Sequence, residues 1–241
     1  MEYIGIDGCK AGWFCIAIDE HRNWTCDIFP TISELINHFD AITLALIDIP
    51  IGLPQKNKRN CDIEARKKLT RTRSTSVFPI PSRNSIYASD YWHACELNLL
   101  DLGVKVSKQT WNISDKIREV DQFILQNHLV KSYLKEAHPE LNFWGWNYKN
   151  SMKFNKKSKK GIKERYNLLK QNLNITEDIF NTSLKKFPRK SVLPDDIIDA
   201  MILALSALHH QEIQSIPSVA DFDSKGIKME INFYEKEMDK K

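Results

Sequence analysis

The sequence predicts an α/β protein built on a mixed sheet, with three antiparallel strands first and parallel strands added after them. Three observations support this fold class. Residues 3–29 contain three strand patterns in succession, and the run 42–49 is apolar at both parities, as in a strand covered on both faces. Helical patterns dominate between about residue 56 and residue 130. We therefore expect helices to flank the sheet, with a largely helical middle segment.

The first three strands follow one another closely. Residues 3–7 and 13–18 predict two strands joined by a tight turn at 8–12, which makes an antiparallel hairpin. A third strand is predicted at 24–29, where alternate apolar residues share one face. These three strands form the antiparallel part of the expected sheet.

A helix and a central strand come next. Thr31 and Glu34 have the spacing of a capping box, and apolar residues follow it at helical spacing. The strand 42–49 ends where Pro50 and Gly52 follow. A helix followed by a strand, after three antiparallel strands, is consistent with a fourth strand that joins the sheet in parallel.

The rest of the chain is predicted to alternate helices with short strands. We expect helices near 61–70, 89–101 and 114–126, an irregular Pro-rich stretch at 77–84, and a strand at 133–137. A lysine-rich segment, 153–165, leads into a helix, and the last strong helix runs from Pro194 to about His209. A short strand at 228–234 and a charged tail at 235–241 complete the chain.

This order of elements is that of a ribonuclease H-like sheet, although many α/β domains share such an order. A chain of 241 residues is expected to form one domain, here 1–234, with a helical insertion at about 56–130.

Composition excludes several classes of protein. With 42% apolar and 27% charged residues the chain is expected to fold, and no apolar run reaches the length of a membrane span. The chain opens with a strand pattern rather than a signal peptide. Its five cysteines are scattered, with no Cys-x-x-Cys spacing, so a disulfide framework or a zinc ribbon is not expected. We predict a cytoplasmic location.

Two acidic residues stand at the ends of apolar strands. Asp7 follows the first run and Asp48 follows the run that begins at residue 42, each just before strand-breaking residues. A carboxylate in such a place must be paired, hydrated or bound to a metal. The alternative is that each aspartate caps its own turn.

Further acids follow the predicted fifth strand. Glu136 stands in an otherwise apolar setting, which makes it the preferred ligand there, while Glu140 and His138 are candidates for supporting groups. The alternative for Glu140 and His138 is a plain polar role at a sheet edge, and a lone histidine is more often structural.

The last predicted helix opens with three aspartates. Asp195 is explained by the helix dipole, because acids favour a first turn. Asp199 lies one turn further in and shares a face with Asp196. That face continues through small residues that permit close approach to a sheet. Asp199 is therefore expected to point toward the acids at the strand ends.

Such a cluster costs stability unless a cation is bound. Two carboxylates about 4 Å apart repel each other by roughly 4 kcal/mol at an effective dielectric near 20. A pair of Mg²⁺ or Mn²⁺ ions would remove this repulsion and activate water at a phosphodiester. Oxygen ligands suit these hard cations, and the absence of Cys/His clusters argues against zinc.

Two basic segments accompany the acids, at residues 56–73 and 153–165. Such runs are usually solvated helix faces. Beside an acidic metal site they could instead follow a phosphate backbone, with Arg83 as a further candidate for a phosphate contact.

A series of motifs in this chain resembles domain-of-unknown-function family 429, whose members are described as predicted nucleases of ribonuclease H-like fold. The resemblance covers nearly the full length and keeps the motif order. The matching stretches are residues 5–13, 47–54, 59–66, 76–79, 138–140, 158–161 and 195–200.

The resemblance implies roles for particular residues. The metal-facing, catalytic acids would be Asp7, Asp48, Glu136 and Asp199, with Asp196 and Glu140 nearby. Lys10, Arg59 and Arg66 match motif positions and would bind substrate phosphates or form an ion-pair network, and Lys159 and Lys160 are further phosphate candidates. Ala137 departs from the pattern, where a branched residue is expected, and leaves the acids intact.

Three classes of function remain open from the sequence. The first is a Mg²⁺- or Mn²⁺-dependent nuclease whose partner is DNA or RNA. The second is a phosphotransferase or ATPase of the related actin-like fold, although only one hairpin of the required type is present. The third is a catalytically inactive module that binds nucleic acid.

Overall fold

Five strands form the main sheet of the computed structural model, which describes residues 1–219 and 221–237, without the side chain of Thr72. The strands are β1 (Glu2–Cys9), β2 (Gly12–Asp19), β3 (Trp24–Phe29), β4 (Ile42–Ile47) and β5 (Leu134–Glu136). Their order across the sheet is β3-β2-β1-β4-β5. β1 pairs with β2 and β2 with β3 antiparallel, whereas β4 is parallel to both β1 and β5. The predicted α/β class with a mixed sheet is confirmed.

Helices occupy most of the remaining chain. They are α1 (Ile32–His38), α2 (Asn60–Arg73), α3 (Arg83–Ile86), α4 (Tyr91–Leu102), α5 (Lys108–Trp111), α6 (Ser114–Gln126), α7 (Pro139–Trp146), α8 (Lys159–Asn172), α9 (Thr176–Lys186) and α10 (Pro194–Leu208). Two further strands, β6 (Ile213–Ile216) and β7 (Ile231–Tyr234), form a separate antiparallel pair. Between β4 and β5 the regular elements are all helical.

The side chains of β1 alternate between two hydrophobic cores, as the two-residue period of a strand requires. Ile4 and Ile6 pack with buried residues of α1 and α6 on one face of the sheet. Tyr3 packs on the other face, with α10 and parts of α8 and α9. Asp7 has the parity of Tyr3 and therefore faces α10.

Helix α10 lies directly against β1 because Gly5 has no side chain. A Cβ atom on Gly5 would stand 2.0 Å from the backbone oxygen of Ala200 and 2.3 Å from the backbone nitrogen of Ala204. The small residues of the helix and the glycine of the strand thus let two backbones touch. This contact fixes the position of Asp199, which precedes Ala200, relative to the end of β1.

Local signals set the predicted boundaries where they exist. The Thr31 side chain accepts a hydrogen bond from the Glu34 backbone N–H at 3.2 Å at the start of α1. Gly103, with φ of +71°, ends α4. At the start of α10, Asp196 accepts a hydrogen bond from the Leu193 backbone N–H at 2.8 Å, which reproduces half of a capping box.

Five helices and strands were not predicted: α3, α5, α7, α9 and β6. All eight residues of α7 are buried, including Glu140 and Asn142, so the helix has no exposed polar face and shows no helical periodicity. The predicted strand 228–234 is shorter, and it belongs to the second sheet rather than the main one. Residues 238–241 of the predicted charged tail lie outside the described residues. A search of the described helices finds none long and apolar enough to cross a membrane.

Candidate metal centre

The ends of β1 and β4 bring Asp7 and Asp48 to the same region of the sheet. The parallel ladder between these strands ends at the pair Ile6 and Ile47, and the Asp48 backbone N–H donates to the Ile6 oxygen at 3.0 Å. Each aspartate follows a residue whose side chain packs in the core of α1 and α6. Both carboxylates therefore project toward α10.

Helix α10 adds a third carboxylate to this group. Asp199 is 1% exposed, and it lies in the first half of the helix that packs on Gly5 of β1. Its Oδ1 atom is buried and has no hydrogen-bond partner within the part of the chain that the structure describes. The predicted juxtaposition of Asp7 and Asp199 is thus what the packing of α10 produces.

The pKa of Asp7 reflects its burial and the negative charges around it. Burial raises its pKa well above the usual value of 3.8, and the charges of Asp48 and Asp199 raise it further. Asp196 adds a smaller rise, and its own pKa is raised to about 6, mainly by burial. Carboxylates from three elements are therefore close enough to oppose one another's ionisation.

A lysine partly compensates this negative charge. The Nζ atom of Lys156 donates to Asp199 Oδ2 at 2.6 Å, and the lysine side chain is 36% exposed. The pKa of Lys156 is raised, chiefly by Asp199 and then by Asp7 and Asp48, against the effect of burial. Its ammonium group therefore pairs with Asp199 and lies near Asp7 and Asp48.

Asp48 also has neighbours from the segment after β5. Burial raises its pKa, whereas His138 and Lys156 lower it, and Asp199 and Glu140 raise it. The Nε2 atom of His138 lies 3.2 Å from the Ser76 backbone oxygen, and its Nδ1 atom is buried without a partner. His138 and Glu140 thus lie near the aspartates.

Glu140 is held by a buried arginine. Its Oε1 accepts from Nε and Nη2 of Arg165, at 3.1 and 2.5 Å, and both side chains are almost fully buried. Its Oε2 has no hydrogen-bond partner, with the Nε atom of Arg73 at 4.0 Å.

Glu136 lines the same cavity as Asp7 and Asp48, but its side chain lies on the other face of the sheet and is paired with Arg59. Glu136 is in register with Ile47, so it shares the face of Ile47 and not that of Asp48. Its Oε2 accepts from Arg59 at 2.5 Å and from the Ile51 backbone N–H at 2.7 Å. Burial raises the pKa of Glu136, and the pairing with Arg59 opposes the rise. The position that shares the face of Asp48 belongs to Ala137.

Two of the arginines expected to bind phosphate are engaged inside the protein. Arg59 is 1% exposed and lies between Glu136 and Asp62. Arg83 forms ion pairs with Asp121 and Asp223. Both therefore act as structural ion pairs in this arrangement. Lys10, Arg66, Lys159 and Lys160 are exposed on the surface.

A cavity of about 670 Å³ opens over the aspartates. Asp7 and Asp48 line it together with His138 and Glu140. Its basic lining residues include Arg73 from α2, Lys116 from α6 and Lys156. The Nζ atom of Lys116 is held over the Trp13 ring, 4.2 Å from its centroid, and donates to the Gly12 oxygen at 2.6 Å. The cavity thus combines carboxylates at its base with cations on its walls.

The residues present fit a divalent cation, although they do not form a ready-made cage. Within residues 1–219 and 221–237, no group of three His, Cys, Asp or Glu side chains converges closely enough to hold an ion as it stands. A bound cation would nevertheless stabilise the unpartnered Asp199 Oδ1 and reduce the repulsion between the neighbouring carboxylates. Oxygen ligands of this kind suit Mg²⁺ or Mn²⁺.

Sequence reasoning missed the individual importance of Lys156 and Arg165. Both lie within the lysine-rich segment 153–165, where nothing distinguishes one basic residue from its neighbours. Arg165 is 1% exposed, but its sequence context is that of an exposed helix face. Only the packing of α8 and of the segment 147–158 before it reveals which basic side chains turn inward.

Comparison with known proteins gives one match. The family model described as "Protein of unknown function (DUF429)" matches residues 5–221, which is most of the chain. No curated protein and no solved structure matches the chain.

Proposed function

The chain belongs to the family Protein of unknown function (DUF429), and from this premise we propose that it is a Mg²⁺- or Mn²⁺-dependent nuclease that hydrolyses phosphodiester bonds of nucleic acid. One observation carries the proposal. Asp7 and Asp48 line one cavity, Asp199 of α10 lies close enough to raise the pKa of both, and its Oδ1 is buried without a hydrogen-bond partner among the described residues. Such an arrangement is costly for stability and is typical of a functional site.

The proposal includes a ribonuclease H-like fold and a cytoplasmic location. The strand order β3-β2-β1-β4-β5, with its first three strands antiparallel, supports the fold assignment. The five free, buried cysteines agree with a reducing compartment.

In this proposal Asp7, Asp48 and Asp199 hold the metal. The bound cation would activate water and offset the negative charge that develops on the phosphodiester. His138, whose unpartnered Nδ1 lies buried in the cavity region, can accept or donate a proton at that atom. Arg73 and Lys116 on the walls would orient a phosphate by charge.

The exposed basic residues would extend the binding of substrate beyond the cavity. Lys10 follows β1, Arg66 lies on α2, and Lys159 and Lys160 begin α8. Each residue is exposed to solvent, so its contribution would be a salt-sensitive attraction to the phosphate backbone. Sequence preference is not expected from contacts of this kind.

The Asp7→Asn variant tests the proposal. Removing one carboxylate should lower cleavage of fluorescent DNA and RNA oligonucleotides by about a hundredfold or more, because each 1.36 kcal/mol of lost transition-state stabilisation is tenfold in rate. Wild-type protein with Mn²⁺ at a hundredfold over its Kd should gain about 2.7 kcal/mol and melt several degrees higher. The Asp7→Asn variant should lose most of this stabilisation by Mn²⁺. It should still fold, because the change removes the repulsion between Asp7 and the other aspartates.

Asp115→Asn is the matched control, because the Asp115 side chain is 93% exposed on α6. It should cleave and respond to metal like the wild type. Cleavage that survives in Asp7→Asn, or that is indifferent to chelator, would refute the proposal. Tight ATP binding without cleavage of any oligonucleotide would favour the actin-like phosphotransferase.

A non-catalytic module is the second candidate, and one observation favours it. Lys156 already neutralises part of the aspartate group, through its 2.6 Å bond to Asp199. A protein of this class would bind oligonucleotides in a salt-sensitive manner and show no change in melting temperature with Mn²⁺ or Mg²⁺.

A further inference from the structure

Lys156 reaches the aspartates from a loop rather than from the sheet. It belongs to the segment 147–158 between α7 and α8, three residues before α8 begins. Its side chain is 36% exposed, whereas that of Asp199, to which it donates at 2.6 Å, is 1% exposed. The charged end of the lysine thus enters the cavity from the solvent side and pairs with its most buried carboxylate.

The pairing leaves Asp199 with one free oxygen. Oδ2 accepts from Lys156, and Oδ1 is buried without a hydrogen-bond partner. An unpaired carboxylate oxygen in a buried position carries the full cost of its lost hydration. It is therefore a ligand position that remains open while the lysine is bound.

Lys156 already occupies one of the positions beside the aspartates where a cation could bind. Its Nζ atom forms an ion pair with Asp199 Oδ2 at 2.6 Å, and its charge also acts on Asp7 and Asp48. Glu136 and Glu140 are paired separately, with Arg59 and Arg165. A further cation beside Asp199 therefore has only Oδ1 left to bind, since Oδ2 is already paired.

We infer that Lys156 takes the place of a second metal ion, so that the aspartate site binds one divalent cation and not a pair. This inference rests on the proposed function, and it specifies how that site is charged. Lys156 then serves as a positioning residue, which holds Asp199 Oδ2 so that Oδ1 faces the metal.

Calorimetric titration of the full chain with Mn²⁺ tests the inference without any assay of cleavage. The wild type should bind one ion. Lys156→Gln should bind two, because the carboxylates regain the charge that the ammonium had neutralised, and its first ion should bind about tenfold more tightly, as expected for about 1.4 kcal/mol. Lys153→Gln, an exposed change in the same segment, should bind one ion like the wild type.

The melting temperature gives a second, independent test of the role of Lys156. Lys156→Gln should melt below the wild type without metal, because Asp199 loses its partner, and saturating Mn²⁺ should restore it to at least the level of the metal-loaded wild type. A residue that merely stabilised the loop would not be rescued in this way.

The remaining outcomes each overturn the inference and separate it from the proposed function. Two ions in the wild type, or one in Lys156→Gln, would contradict the lysine's role and leave metal-dependent chemistry standing. No ion in the wild type but one in Lys156→Gln would mean that the lysine occupies the single cation position. No ion in either protein would overturn the inference and the metal-dependent function together.

Discussion

Two glutamates beside the cavity are neutralised by arginines that are themselves fully buried. Glu136 pairs with Arg59 and Glu140 pairs with Arg165, each at 2.5 Å. The Asp62 carboxylate lies 3.7 Å from Arg59 Nε and adds to the first pair. Removing one partner from such a pair leaves a buried charge without compensation. At the residue scale these pairs therefore act in the stability of the fold around the site.

Arg59→Met tests this structural role. The change should lower the free energy of unfolding by about 3–5 kcal/mol, because Glu136 and Asp62 are left buried without their cationic partner. Adding Glu136→Met should restore part of that loss, since an apolar pair of similar volume avoids the desolvation of both groups. Denaturant unfolding of the two single variants and the double variant measures the coupling.

A second variant tests whether Glu136 is a metal ligand. Glu136→Gln should lower stability but leave the affinity for Mn²⁺ within about threefold of the wild type, in contrast to Asp7→Asn. The reason is that direct metal ligands and their close partners are the residues whose change alters metal affinity by about tenfold or more. A loss of metal binding in Glu136→Gln as large as that in Asp7→Asn would restore the original assignment.

At the scale of elements, the contact between β1 and α10 positions the site. Gly5 permits the two backbones to meet, and the contact sets Asp199 beside the end of the strand. Asp196, at the third position of the same helix, caps its N-terminus through the Leu193 N–H. The geometry of the aspartates thus depends on one helix lying flat on one strand.

Gly5→Ala should be strongly destabilising. The new Cβ would lie 2.0 Å from the Ala200 oxygen, and neither backbone can give way without separating helix from strand. We expect a loss of about 3 kcal/mol or more, at the upper end of overpacking effects. Thermal and denaturant unfolding measure the loss.

Gly8→Ala is the matched control in the same strand. Its Cβ would meet the flexible Lys116 side chain at 3.1 Å, and that side chain can move. The expected loss is below about 1 kcal/mol. Equal losses at the two glycines would show that the approach of α10 is not the cause.

For the whole molecule, the aspartate group makes stability depend on pH and on metal. The pKa of Asp7 is raised in the folded protein, and that of Asp196 is raised from 3.8 to about 6. Between the unfolded and folded pKa values the folded state binds more protons. The contribution of these groups to the free energy of unfolding therefore falls as pH rises through that window.

We expect the metal-free wild type to lose stability relative to Asp7→Asn as pH is raised from about 4 to 7, because the asparagine cannot ionise. Saturating Mn²⁺ should reverse the trend for the wild type, since metal binds the ionised carboxylates. Chemical unfolding at several pH values measures how the free energy of unfolding changes with pH, once with saturating metal and once with chelator. A difference between the two proteins that is independent of pH would contradict the raised pKa of Asp7.

Local signals in the sequence determined most of the main sheet. Alternation and turn residues located β1, β2 and β3, the doubly apolar run located β4, and a capping box located α1, because these signals act over a few residues. Helix α7 lacked such a signal, since all of its residues are buried and it has no exposed polar face. The sequence also singled out Asp7, Asp48 and Asp199, because acids at the ends of apolar elements stand out from their surroundings.

Tertiary structure alone decided which charges meet. A shift of one residue along β5 moves a side chain to the other face of the sheet, so Glu136 faces Arg59 while Ala137 shares the face of Asp48. Among many similar lysines, only the path of the segment 147–158 turns Lys156 toward Asp199. Ion pairing acts between residues distant along the chain, and their distance in space is set by packing that no local pattern encodes.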